Sequence, residues 1–380
     1  GLGDVYKRQG QRQPALIWLA GLCALYAAYM IVRGLLAPGP LELGDLLGDI
    51  LPLALTAGVA AFAIRGQNHI SIAALFKAMT VMLYIVFCAS LLEGWLLDLS
   101  RPDLFLNSTL NLAPILLVPA ILVTDHRLAP SRFWAWAGLG AFAFTTVALG
   151  AIFQTRGPFL ILGCLVSLRI LSQLSQPDLW ARRLKRSAIF VIIYLLSVAA
   201  VASHGSGLQR YFVLTAVAEP IEPWIGPDQG WYSLFERSSM MQAGWAAGWD
   251  APVFGYGPQN RFEATRPYLP TEFVKTYTHL HNDVITHFVA GGLVAVALLA
   301  ALLLFPLIIS KTYTTQKSIR FEVGLIFSFA FTGSALLNNV LFVPIWGYLF
   351  GLSLVASVLI MNAVGISPQA DSQKDVPRPS

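Results

Sequence analysis

Apolar runs of roughly twenty residues, separated by short polar breaks, recur along most of this 380-residue chain. Crossing a bilayer takes about 20 mostly apolar residues, and ten runs meet or approach that length: 14–36, 46–64, 72–97, 108–124, 133–153, 157–174, 187–203, 284–309, 322–341 and 344–361. The pattern predicts an all-α, polytopic integral membrane protein with about ten transmembrane helices. It divides the chain into N-terminal membrane helices (10–203), one large loop (204–283), C-terminal membrane helices (284–361) and a polar tail (362–380), "SPQADSQKDVPRPS" in its last part, which reads as disordered. The loop is rich in Gly, Pro and Trp, as in "IEPWIGPDQGW" and "GWDAPVFGYGPQNRF", and holds a helix-like stretch, "SLFERSSMMQAGWAAGW". A connection of that length between membrane helices is unusual and commonly functional.

Composition supports the bilayer as solvent. Hydrophobic residues make up 56% of the chain and charged residues 12%, against about 25% charged in a soluble domain. The net charge of +5 comes from loop lysines and arginines, with no basic patch interleaved with aromatics, so nucleic acid is not an expected partner. Cys23, Cys88 and Cys164 all fall in apolar segments and read as helix-packing residues, with neither a disulfide nor a zinc site implied.

Loop charge sets the orientation. Arg182, Arg183, Lys185 and Arg186 lie in the 174–186 connection, and Lys311, Lys317 and Arg320 in the 310–321 connection. Both are therefore expected to be cytoplasmic, and alternation brings Arg65, Arg127 and Arg132 to the same side. The opposite side receives "PLELGDLLGD", "LSRPDLFLN" and the large loop, with both termini cytoplasmic. The chain opens "GLGDVYKRQ" without Met. "DVYKRQ" resembles a translated sequencing adaptor, so residues 1–9 are expected to be non-native and N-terminal helices to be missing. The run 14–36 is not expected to be a signal peptide, because no small-residue cleavage site precedes a soluble domain.

Three polar constellations interrupt this pattern. "THLHNDVITHFVAGG", 278–292, places three histidines ahead of an apolar run. A metal site would need His279, His281 and His287 to converge, but His281 and His287 stand about 240° apart on a helix, and no carboxylate or cysteine completes a ligand spacing. The plainer reading makes Asn282 or Asp283 the N-cap of a helix starting near Val284, with His279 and His287 as interfacial residues. His281 then sits just ahead of a helix N-terminus, where the macrodipole disfavours an imidazolium and a neutral ring could accept a proton from a hydroxyl. In "QTRG", Arg156 lies at membrane depth between two apolar runs, which marks either a functional charge or a snorkelling arginine. In "FERSSMMQAGW", Arg237 stands inside the large loop, as do Arg210, Arg261 and Arg266; each alone reads as a solvated charge.

Taken together these pieces resemble the O-antigen ligase/polymerase family of bacterial membrane glycosyltransferases. The resemblance covers about residues 135 to 310 and rests on Thr155-Arg156-Gly157, on Arg237 followed by Trp245 and "FGYG" (254–257), and on "HLHND…VAGG" leading into a helix with a Gly-containing bend. The ligase branch pattern H-[NSQ]-x9-G-x-x-T-T is met by His281, Asn282 and Gly292, but Ala295 and Val296 stand where it has Thr-Thr. Met241 stands four residues after Arg237, where the ligase pattern has Leu. Family members carry about 12 spans, and loss of an even number from the N-terminus would keep the orientation above.

The resemblance implies a GT-C-like enzyme at the inner membrane. It would move a glycan from undecaprenyl diphosphate to an acceptor hydroxyl on the periplasmic side, with inversion. Arg156 and Arg237 would clamp the diphosphate, since guanidinium forks stay protonated and bond phosphate bidentately. No metal or other cofactor is then expected. His281 would deprotonate or orient the acceptor hydroxyl, with Asp283 and Glu236 as the nearest alternatives. Asn282, His279 and Arg210 join the expected substrate-binding set. The acceptor would be lipid A–core (ligase), a lipid-linked glycan repeat (polymerase) or a protein hydroxyl. The ligase is put first on the H-N-x9-G spacing. A polytopic lipid or polysaccharide transporter is the reading from a different class; the repeated halves such proteins tend to show are not found.

Overall fold

The computed structural model describes residues 14–39, 43–65, 71–96, 109–152, 156–174, 180–203, 229–270, 280–313, 316–337 and 344–364. Among these residues the regular structure is helical, with no strand. The helices are α1 (Pro14–Leu36), α2 (Leu43–Arg65), α3 (Ile72–Leu96), α4 (Thr109–Leu122), α5 (Arg132–Val147), α6 (Arg156–Leu174), α7 (Trp180–Ser203), α8 (Gln229–Asp250), the short α9 (Arg261–Thr265), α10 (Asp283–Ser310), α11 (Lys317–Leu337) and α12 (Pro344–Val364). A π-helical turn, Ala148–Ile152, extends α5. The adaptor-like start, most of the first half of the large loop, Arg210, His279 and the polar tail lie outside the described residues.

All ten predicted runs contain a helix, and among the described residues eight helices are long and apolar enough to cross a membrane. The other two runs hold α4, with 14 residues, and the apolar part of α7, Ser187–Val201. The protein is an all-α polytopic membrane protein. Two boundaries differ clearly: α11 starts at Lys317, five residues before the expected run, and the basic stretch before 187 is helical. It was expected as part of a connection, yet α7 starts at Trp180, because Ala, Arg, Leu and Lys are good helix formers and no Gly or Pro stands between Pro177 and Gly205. Cys23 is buried as expected, but Cys88 and Cys164 are exposed on the outside of the bundle. So are Trp18, Phe62 and Phe133, as suits a surface solvated by lipid.

The bundle has two chemically different ends. One collects the C-terminus of α1, the N-terminus of α2 and the start of α10, described below. The other collects the turn after α4, the last third of α6 and the second turn of α11 around four buried or half-buried charges. Arg169 Nη2 lies 3.1 Å from Asp125, and its other terminal nitrogen bonds Glu322. Arg127 Nη2 lies 2.7 Å from Asp125 and 2.5 Å from Glu322. Two guanidinium groups thus face two carboxylates, which makes burial of the set tolerable. Burial alone would raise the Asp125 carboxyl, but Arg169 and Arg127 outweigh it and hold that group well below the usual carboxylate range.

Candidate active site

The site is built on a break in α10. Gly292 has φ +64 and ψ −161, which interrupts the helix in a region that favours glycine. A helix broken there leaves carbonyls at 289–291 without their usual donors four residues on. The loop supplies replacements: Tyr256 N donates to Val289 O and Gly257 N to Ala290 O, each at 2.8 Å. Tyr29 Oη donates to Gly291 O at 2.5 Å. On the far side of the break, Leu293 N donates to Pro252 O at 2.8 Å. The "FGYG" turn is therefore the hydrogen-bonding partner of the "VAGG" break. Close approach requires the glycines: a β-carbon on Gly255 would stand 2.5 Å from Val289 O, and one on Gly292 2.3 Å from Val253 O.

The break redirects the start of α10. Gly324 of α11 lies against Pro306 and Ser310, while Asn282 Nδ2 donates to Leu336 O at 2.7 Å. A straight helix rises about 42 Å from 310 back to 282, yet α11 rises only about 18 Å from 324 to 336. The segment before Gly292 thus turns back toward the bundle, and its N-terminus meets the end of α11.

Asn282 caps that N-terminus. Its backbone is extended (φ −152) and its Oδ1 accepts from Ile285 N at 3.0 Å. Thr286 Oγ1 donates to Asn282 O and accepts from Leu280 N, which ties down the approach. Between Leu280 and Asn282 the chain must reverse, and His281 does so with φ +54. A non-glycine residue in the left-handed region is uncommon, although His is among the residues enriched there. His281 is half-buried, directly ahead of the cap.

Arg237 approaches from α8. Two glycines on this helix make the contact: a β-carbon on Gly244 would meet Ile285 at 2.5 Å and Leu280 at 2.6 Å, and one on Gly248 would meet Phe288 at 2.3 Å. Met240, Ala247, Phe262, Leu280, Ile285 and Val289 fill the space around them. Arg237 is seven residues before Gly244, hence on the same face and about 10 Å further along. Because α8 runs alongside the start of α10 in the same sense, that face carries half-buried Arg237 past the N-terminus, on the side of His281.

Arg156 opens α6. The α6–α11 pair is antiparallel, with Arg169 bonded to Glu322 and Ile161 against Gly333. Five residues earlier, about 7.5 Å along the helix, the same register brings Arg156 level with Leu336, whose carbonyl holds Asn282. The backbone of Arg156, Arg237 and His281 therefore share one end of the bundle. His279 and Arg210, the remaining expected residues, lie outside the described residues.

Two expectations are overturned here. His287 is not interfacial: it is buried, and its Nδ1 bonds the hydroxyl of Tyr26. Arg261 is not a solvated loop charge: it is 2% exposed and its Nη1 lies 3.2 Å from Asp49 of α2. The reason is the same for both, since partners more than 200 residues away fold over them. The acidic Asp49 in an apolar run was the available signal, as was Arg169 within α6. A cavity of about 10 Å³ lined by Tyr26, Asp49, Pro52, Leu53 and His287 adjoins this pair; it has room for a water, not for a sugar or diphosphate. Among the described residues no three His, Cys, Asp or Glu side chains are grouped to hold a metal ion.

Comparison with known families adds one decisive observation: residues 140–300 match the family described as O-antigen ligase. Over those residues, less than half of the chain, the sequence resembles the O-antigen ligase/polymerase family. No curated protein matches it. The match to this glycosyltransferase-type family runs from within α5 to within α10, so it takes in Arg156, Arg237, the "FGYG" turn and His281 to Gly292. The O-antigen ligase match leaves out α1, whose Tyr26 and Tyr29 nevertheless bond the broken helix.

Proposed function

We propose that this protein is an O-antigen ligase: a periplasm-facing enzyme of the bacterial inner membrane that transfers a glycan from undecaprenyl diphosphate to a hydroxyl of lipid A–core. In this reading the large loop is periplasmic and both termini are cytoplasmic. The observation that carries the proposal is the gathering of the Arg156 backbone, the Arg237 face of α8 and the capped, left-handed turn at His281 at one end of the bundle, within the family match.

The reaction follows from those groups. An imidazole nitrogen of His281 takes the proton of the acceptor hydroxyl as its oxygen attacks the anomeric carbon. The new C–O bond forms as the bond to the diphosphate oxygen breaks, and the diphosphate leaves with the electron pair. Displacement from the opposite face inverts the anomeric carbon. The charge growing on the leaving group meets the guanidinium groups of Arg156 and Arg237, which gives metal-independent catalysis. His279 and Arg210 join the proposed substrate-binding set, while Asn282, buried with both ends of its amide bonded, positions His281. The spacing from His281-Asn282 to Gly292 favours the ligase. Ala295 and Val296, in place of a Thr pair, favour the second reading, a polymerase whose acceptor is another lipid-linked glycan.

Substitution separates an enzyme from a transporter. His281→Ala and Arg237→Ala, each shown to remain folded in membranes, are expected to lose glycan transfer by about a hundredfold or more. Retention of wild-type transfer by both would contradict the proposal.

A further inference from the structure

Three residues of α1 hold the two sides of the α10 junction. Tyr26 Oη bonds His287 Nδ1. Tyr29 Oη donates to Gly291 O at 2.5 Å, and Arg33 Nη2 donates to Gly255 O at 2.8 Å. At positions 26, 29 and 33 they share one helix face, so a single rigid element fixes the half-helix at its middle, at its last turn and at the loop that pairs with it. The Gly291 carbonyl is one of those exposed by the break, and Arg33 also lies over the Phe254 ring with its guanidinium carbon 6.0 Å from the centroid.

We infer that Tyr26, Tyr29 and Arg33 are positioning residues for the transfer reaction: α1, outside the family match, sets where the half-helix points its capped N-terminus and so where His281 stands. This rests on the reading of His281 given above. The half-helix is short, is cut off from the rest of α10 at Gly292 and has its termini tied to other elements. Its orientation is therefore not inherited from the membrane-crossing part, and small errors in placing a reacting group are costly.

A double-mutant cycle tests this. Tyr29→Phe removes one hydroxyl and leaves the ring. With folding checked by thermal unfolding, it is expected to lower kcat about tenfold while KM for the lipid-linked donor stays within about twofold. In a His281→Ala background the same change is expected to alter the residual rate by less than about twofold. Arg33→Gln should repeat the pattern and Arg33→Lys should restore part of kcat, which keeps the test open if Tyr29→Phe does not fold. Wild-type kcat in both variants, or equal losses with and without His281, would overturn the inference. Wild-type activity of His281→Ala alone would instead overturn the reading of His281, and the two failures are therefore distinct.

Discussion

Gly255 presses its bare Cα against the carbonyl of Val289, so closely that a β-carbon there would stand 2.5 Å from the oxygen. That contact joins the "FGYG" turn to the broken helix, and its φ of +64 adds a second demand for glycine. Gly255→Ala and Gly292→Ala should each destabilise the protein by more than about 1 kcal/mol from the backbone conformation alone, with the clash adding to it. Thermal unfolding in detergent measures this. A melting temperature unchanged by either substitution would mean that the turn and the break do not pair.

The Asp49–Arg261 pair links the loop to a membrane helix through side chains that are 0% and 3% exposed. Removing one partner strands a buried charge, which typically costs about 3–5 kcal/mol, whereas replacing both with apolar groups can be close to neutral. Arg261→Met should therefore be far more damaging than Asp49→Leu combined with Arg261→Met. Equal losses in the single and double variants would show that the pair is not what anchors the loop.

At the other end of the bundle the carboxyl of Asp125 titrates below its unfolded value, near 3.9, because Arg169 and Arg127 outweigh burial. A depressed carboxylate contributes stability that is complete above the unfolded pKa and is lost as pH falls toward the folded one. Stability should thus decline as pH drops through about 4 and below. Asp125→Asn should be less stable at neutral pH and should show a shallower acid limb. An acid limb identical to wild type would contradict the arrangement.

Asn282 does two jobs, accepting from Ile285 N and donating to Leu336 O. Asn282→Asp keeps the cap and removes the donor; Asn282→Ala removes both. The first should cost less stability than the second, whose cap loss alone is about 1 kcal/mol. Both should lower transfer, because the link to α11 is what sets His281 level with the start of α6. Wild-type transfer in Asn282→Asp would separate the Leu336 bond from function.

The membrane architecture was legible because its signal is local: a run of about twenty apolar residues declares itself without any partner. The cap at Asn282 was legible for the same reason. Gly292 was legible as a spacing and as a bend in the helix, but what makes the break tolerable, the set of donors at 29, 256 and 257, was not. Arg169 was passed over and Arg261 was read as solvated because a lone charge becomes meaningful only with Glu322, Asp125 or Asp49 beside it. Those partners are brought there by helix packing across the whole chain. His287 misled because proximity in sequence to His281 implied a shared setting, while Tyr26 gave it a buried one.

The most direct measurement is transfer by the purified protein from an undecaprenyl-diphosphate glycan, with lipid A–core as acceptor and EDTA present. The account predicts core-linked glycan, formed with inversion at the anomeric carbon and lost with His281→Ala. Activity abolished by the chelator, retained configuration, or elongated lipid-linked glycan without any core product would contradict it.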